Sequence, residues 1–225
     1  MELKEIAVIH TDFPEKFGIP RQSGLVEGLR GKIIFSPEYR NKDALRGLEE
    51  FSHLWLIWGF SKTERTHWSA TARPPRLGGK VRMGIFATRS PFRPNPLGLS
   101  SVKLESIESD PALGPVINVS GIDMLDGTPI YDIKPYLPHI DCHTDAAGGF
   151  ALNVSKNQLE VIFPEELLAR IQEQDRKTIV SLLSQDPRDR FVRDNNRIWG
   201  LTYGSYNIRF HVENSQLIVL DVQNL

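Results

Sequence analysis

Over the first two-thirds of the chain, apolar side chains fall in runs of five to nine residues rich in Val, Ile and aromatics, most of them closed by turn-forming residues. Such runs predict strands over Leu3 to His10, Gly31 to Phe35, Ser52 to Phe60, Val81 to Ala87, Ser100 to Ile107 and Val116 to Ile122. One short helical signal interrupts them, NKDALRGLEEF from Asn41. Strands separated by turns rather than by long helices predict an antiparallel or mixed barrel and argue against a doubly wound sheet.

The pattern changes at DCHTDAAGGF (Asp141 to Phe150), which is small and polar and reads as a loop or domain junction. Beyond it, LEVIF (Leu159 to Phe163) predicts a strand, and a helix follows. Pro164 suits its first turn, Glu165 and Glu166 its positive end, and Leu167, Leu168, Ile171, Ile179, Leu182 and Leu183 one face. It is expected to stop before Asp186-Pro187. YNIRFHVE and QLIVLDV, on either side of Asn214-Ser215, predict a hairpin. The expected organisation is mainly β: a barrel to residue 140, a linker over 141–154, and a small α+β domain over 155–225.

Composition keeps this within ordinary globular proteins, with 40% apolar and 24% charged residues in a chain of 225. The longest apolar run, HLWLIWGF, is far short of the roughly 18 residues that a membrane span needs. MELKEIAVIH has neither the basic start nor the long apolar centre of a signal peptide, so a cytoplasmic protein is expected. A single cysteine, Cys142, forbids an internal disulfide and a multi-cysteine zinc site. The net charge of −1 conceals an asymmetry: Lys62 to Lys103 carries nine basic residues and one acid, and the remainder 18 basic and 27 acidic. A basic block in an otherwise acidic chain suggests a polyanion or a phosphate-bearing ligand.

Common cofactor fingerprints are missing: G-x-G-x-x-G, the P-loop, G-x-S-x-G and H-E-x-x-H do not occur. The string HIDCH (His139 to His143) reads as a surface loop, and no metal is expected. Ten of the fifteen prolines lie between Pro74 and Pro138, predicting stiff, pre-shaped loops. The central feature is GIFATRSPFRPNPLGLS, which presents Arg89, Arg93 and Asn95 among three prolines. Each guanidinium there offers a rigid donor fork for carboxylate or phosphate. In DMLDGTPIYDIKPYLPHID, Asp132 and Lys134 are two apart in an extended segment and share a face, so together they suit a zwitterion. FGIPRQSG sets Arg21 and Gln22 behind Pro20, and DPRDRF places cations beside an aromatic, a combination that holds phosphate and stacks a base.

Taken together, FGIPRQ, RGLEEFSHLWLIWGF, RPPRLGG, MGIFATRSPFRPNPLGLS, DGTPIYDIKPYLP and the C-terminal DPR resemble the TrmO (YaeB-like) tRNA methyltransferases. The resemblance implies a single-sheet, non-Rossmann β-barrel that binds S-adenosylmethionine, a homodimer, and methylation of the exocyclic nitrogen of threonylcarbamoyladenosine at position 37, beside the tRNA anticodon. It implies a cofactor site at Pro20, Arg21, Gln22, Arg89, Asp132, Ile133, Lys134 and Pro135, with Ser61, Lys62 and Ile122 added by their position at strand ends. Arg93, Asn95 and Asp126 are the candidates for orienting the substrate adenine or for proton transfer, and Arg73, Arg76 and Arg188 for tRNA phosphate contact. The chain departs from the family pattern at Asp189-Arg190-Phe191, where members often continue DPR with proline, and at Ser61, where others have histidine. The competing expectation is a non-catalytic RNA-binding barrel, which needs the arginines but neither Asp126 nor Asp132.

Overall fold

The computed structural model describes residues 2–62, 67–74, 77, 81–151, 158–188 and 197–225. Its first part comprises β1 (Ala7–Thr11), β2 (Arg30–Phe35), β3 (His53–Gly59), the short pair β4 (Thr71–Ala72) and β5 (Met83–Gly84), then β6 (Leu97–Asp110), β7 (Gly114–Ser120) and β8 (Thr128–Pro135). Six of these close a barrel in the order β1-β2-β7-β6-β3-β8, every pair antiparallel. Alternation does most of the work: Ala7, Ile9, Ile33, Leu54, Leu56, Trp58, Val102, Ile117, Val119 and Ile130 are buried and fill the barrel, while β7 also buries Val116 and Ser120.

After the one-turn helix α1 (Pro138–Asp141), the second part contains β9 (Glu160–Ile162), α2 (Glu165–Leu168), α3 (Glu173–Ser184), β10 (Trp199–Tyr203), β11 (Tyr206–Glu213) and β12 (Gln216–Asn224). Its sheet runs β10-β11-β12-β9, with β9 parallel to β12. The β11–β12 hairpin turns at Asn214 and Ser215, with φ of 48° and 67°. Two consecutive positive φ values give the turn a twist that matches its strands.

One rim of the barrel gathers the end of β1, the start of β2, the end of β3, the start of β6, the end of β7 and the start of β8, as the antiparallel registers require. The loop between β1 and β2 covers that rim. Phe13, Val26 and Leu29 anchor it in the core at 1% exposure or less, and burying Phe13 alone is worth about 2 kcal/mol. Gly24 N–H donates to Gly121 O at 2.9 Å. The other side of the loop carries the second sheet: Phe17 stacks on Trp199 with ring centroids 5.7 Å apart, and Phe13 meets Tyr203 edge-on at 5.3 Å.

Several expected elements are corrected. The helical signal at Asn41 becomes 3-10 turns, Lys42–Leu45 and Leu48–Glu50, separated by Gly47 in the left-handed region at φ 84°. Val81 to Ala87 is a two-residue strand followed by the 3-10 turn Ile85–Ala87. The single helix expected after Pro164 breaks into α2 and α3 across residues 169–172. A continuous helix needs apolar side chains three and four residues after Ile171, and Gln174 and Asp175 stand there. The bend lets Leu167 and Ile171 reach the same core as Ile179, Leu182 and Leu183. Strand β10 was missing from the sequence-based set, although Trp199, Leu201 and Tyr203 alternate inward along it.

Candidate active site

At the covered rim, the start of β6 and the exit of β7 face each other through hydrogen bonds between side chains. Trp58 Nε1 donates to Ser100 Oγ at 3.0 Å, and Ser100 Oγ donates to Asp123 Oδ1 at 2.6 Å. The backbone N–H of Ser23, on the covering loop, also serves the Asp123 carboxylate. Burial pushes that carboxyl above its ordinary range; the Ser100 and Ser23 bonds and the positive charge of Arg89 pull it back. Arg89 in turn donates through Nη1 to Gln22 Oε1, and the Gln22 amide donates to Arg21 O. Gln22, Trp58, Arg89, Ser100 and Asp123 are thereby assembled from five separate segments. Of these five, Asp123, Ser100 and Trp58 escaped the sequence reading. The available signal was a lone acid directly after the apolar strand that ends near Ile122.

The proline-rich loop after β5 is braced internally. Arg93 Nη1 donates to Ile85 O at 3.1 Å and to Thr88 O at 2.7 Å, and its guanidinium lies 5.6 Å from the Phe86 ring centroid. Arg93 therefore holds loop shape, while Arg89 and Asn95 stand exposed. Ser61 and Lys62, both exposed, continue β3 at the same rim, where Lys62 O accepts from Lys16 Nζ. Pro20, within the covering loop, is buried, and the Ile122 side chain, 1% exposed, belongs to the core.

Asp126 sits where the chain crosses to β8. Its Oδ1 accepts from Thr11 N–H at 3.0 Å and contacts His10 Nδ1 at 3.1 Å. Beside it, Asp12 O accepts from Gly204 N–H at 2.8 Å, and the Asp12 carboxylate is bonded by Tyr203. Burial raises both groups, Asp12 above the usual carboxylate range and Tyr203 far above that of a phenol. Asp12, Arg30, Asp175 and Tyr203 line a cleft between the barrel and the second sheet.

The DIKP string is placed apart from the arginine loop. Asp132 pairs with Ile57 and Pro135 with Leu54, so the string runs along β8 away from the covered rim. A register shift between Ile57 and Trp58 turns Asp132 and Lys134 outward, where they form an ion pair at 3.1 Å. Ile133 packs against the core. Of the cations expected at RNA, Arg73 is exposed, Arg188 is held by Asp186 at 2.7 and 3.0 Å, and Arg76 lies outside the described residues. In HIDCH, Asp141 Oδ2 accepts from Trp55 Nε1 at 3.0 Å and Leu137 N–H at 2.8 Å.

A closed barrel roofed by its own loop, with a small sheet-and-helix unit docked on that roof, is an architecture shared with solved tRNA methyltransferases. A crystal structure of TrmO from Pseudomonas aeruginosa superposes with a TM-score of 0.79 at 33% identity, covering 100% of this chain and 97% of that one. Residues 8–142 match the tRNA-methyltransferase O N-terminal domain and residues 156–225 the TrmO C-terminal domain. The chain belongs to the TrmO family. It is 37% identical over 221 residues to the tRNA (adenine(37)-N6)-methyltransferase of Escherichia coli strain K12, covering 94% of this chain and 93% of that protein. It is 42% identical over 170 residues to the enzyme of that name from Eikenella corrodens, covering 75% and 95%.

Proposed function

We propose that this protein is an S-adenosylmethionine-dependent tRNA methyltransferase that methylates N6 of adenine 37, next to the anticodon, with threonylcarbamoyladenosine as the substrate nucleoside. The observation that carries the reading is the rim constellation of Gln22, Arg89, Ser100 and Asp123 in a chain that is a TrmO family member along both parts.

The donor set fits the cofactor's chemistry. S-adenosylmethionine supplies a methyl group activated on a sulfonium, together with an ammonium, a carboxylate and an adenine. Arg89 offers a fork for the carboxylate, Asp123 offers negative charge for the cationic groups, and Pro20 to Gln22 with Ser61 and Lys62 furnish the edges of a slot. The chain's own contribution is alignment: the proline-stiffened loop, with Arg93 as its brace, and the loop that roofs the rim hold their groups in place before the substrate arrives. Roofing also excludes water, which strengthens every charge–charge contact beneath it. Asn95, exposed on the arginine loop, and Asp126, on the neighbouring crossing, are the groups we assign to orienting the adenine and receiving its proton. Residues 1–140 carry the cofactor site in this reading, and the positive block, with Arg73 exposed in it, meets the RNA backbone.

A homodimer accompanies the assignment. The outer wall of β6, β3 and β8 sets Leu99, 59% exposed, beside Ile57, and Ile57 in turn beside Asp132, an apolar and charged strip suited to a second copy. Mass spectrometry of tRNA nucleosides after incubation with labelled S-adenosylmethionine tests the function. Label in N6-methylated threonylcarbamoyladenosine is expected, and its absence from every tRNA tried overturns the substrate.

A further inference from the structure

We propose that Phe86, with Arg93 against its ring, is a stacking platform for an unpaired nucleobase of the RNA substrate, an inference that rests on the methyltransferase reading above. Phe86 is 73% exposed, a large apolar area to leave in water. It is nevertheless rigidly mounted. The 3-10 turn Ile85–Ala87 is closed by bonds from Thr88 N–H and Thr88 Oγ to Ile85 O, at 3.1 and 2.8 Å, and Ile85 itself is 1% exposed. Arg93 reaches the ring at 5.6 Å while donating to the backbone on both sides of it, so cation and ring are fixed relative to each other.

The surroundings select the occupant. The segment from Lys62 to Lys103 has nine basic residues and one acid, so an anionic partner is favoured over an apolar protein surface. Trp68, 55% exposed, lies two residues before Ala70, whose carbonyl accepts from Ile85 N–H at 2.9 Å, so the chain that carries a second exposed flat ring is tied to the same turn. Exposed aromatic faces beside guanidinium groups are what binds single-stranded bases largely independently of sequence. A base next to the target, splayed from the anticodon loop, meets this description.

The test measures fluorescence anisotropy of an anticodon stem-loop RNA, intact and with an abasic sugar at each loop position in turn, against the full-length protein. Phe86→Ala is expected to weaken binding of the intact loop about tenfold or more. Phe86→Trp is expected to restore it, and at one abasic position wild type and Phe86→Ala should bind alike. Affinity for S-adenosylmethionine by calorimetry, the unfolding midpoint and the sedimentation coefficient should not move. Unchanged binding by Phe86→Ala overturns the platform. So does a loss of cofactor affinity, which makes the ring a wall of the cofactor site, or a change of oligomeric state, which makes it a subunit contact. A wild-type protein that neither binds nor methylates the stem-loop overturns the methyltransferase reading itself; methylation by wild type together with unchanged stem-loop affinity in Phe86→Ala overturns the platform alone.

Discussion

Ser100 Oγ donates a hydrogen bond to Asp123 Oδ1 at 2.6 Å while accepting one from Trp58 Nε1 at 3.0 Å, so a core tryptophan and a rim carboxylate are joined through one oxygen. Removing Asp123 leaves the Ser100 hydroxyl without its acceptor in a site that water reaches poorly. Asp123→Ala should cost about 1–3 kcal/mol, measured by urea unfolding, and should weaken S-adenosylmethionine binding because Ser23 loses its anchor.

Asp123→Asn keeps an acceptor oxygen and removes the charge, so its signature lies in pH dependence. A folded-state pKa raised above the ordinary 3.8 means the native protein binds the proton more tightly than the unfolded chain does. Wild-type stability therefore declines as pH rises upward from about 3.8 through the raised value, and that contribution is greatest at the acid end. Urea unfolding at a series of pH values should show this decline in the wild type and lose it in Asp123→Asn. Parallel pH profiles for the two proteins would refute it.

Gly98 tests the same chain of bonds from the other side. A Cβ there would stand 2.2 Å from Trp58 Cε2, and the buried indole, packed 4.4 Å from the Phe60 ring, has no room to retreat. Gly98→Ala should cost about 1–3 kcal/mol through forced repacking and should lower cofactor affinity by displacing Ser100. Gly84→Ala is the control: nothing lies within 4 Å of its Cβ position, and its φ is −54°. Its thermal midpoint should stay near wild type.

Tyr203 ties the second sheet to the barrel through Asp12. The hydroxyl stabilises the charged form of Asp12 against a burial effect that raises its pKa, so Tyr203→Phe should raise that pKa further. The ring still packs edge-on against Phe13, so the loss should be modest, about 1 kcal/mol. It should also grow as pH rises through the Asp12 range, because only the ionised carboxylate gains from the missing donor. A loss equal at acid and neutral pH would place the hydroxyl's role elsewhere.

The barrel strands are legible because β-branched and aromatic runs closed by turns are self-announcing, as at Val116 to Ile122, and the last hairpin because alternation agrees with its turn at Asn214-Ser215. What the sequence hid was set by tertiary contact. The break before Gln172 has no proline or glycine to mark it; it exists because two short helices reach the core better than one long one. The Asp132–Lys134 pair was legible as sharing a face, but which face depended on a register shift against β3. Arg93 looks like a free donor beside Arg89 in the sequence, and only the folded loop shows its Nη1 committed to Ile85 O and Thr88 O. Asp123 was invisible as a site residue because its partners, Ser23, Trp58 and Ser100, are distant in sequence.

Arg73 and Arg188 carry the last prediction, since both were expected at tRNA phosphates and the fold treats them differently. Arg73 is exposed on the segment that follows β4. Arg188 already places Nε and one terminal nitrogen on the two Asp186 oxygens at 2.7 and 3.0 Å. A phosphate would have to compete with a carboxylate two residues away, so the charge reaching RNA from this pair is close to zero. In tRNA binding across a salt series, Arg73→Ala should lower the slope of log K against log salt by about 1. Arg188→Ala should change it far less. Asp186→Ala should steepen it by freeing the guanidinium, and equal slope losses at both arginines would refute the distinction.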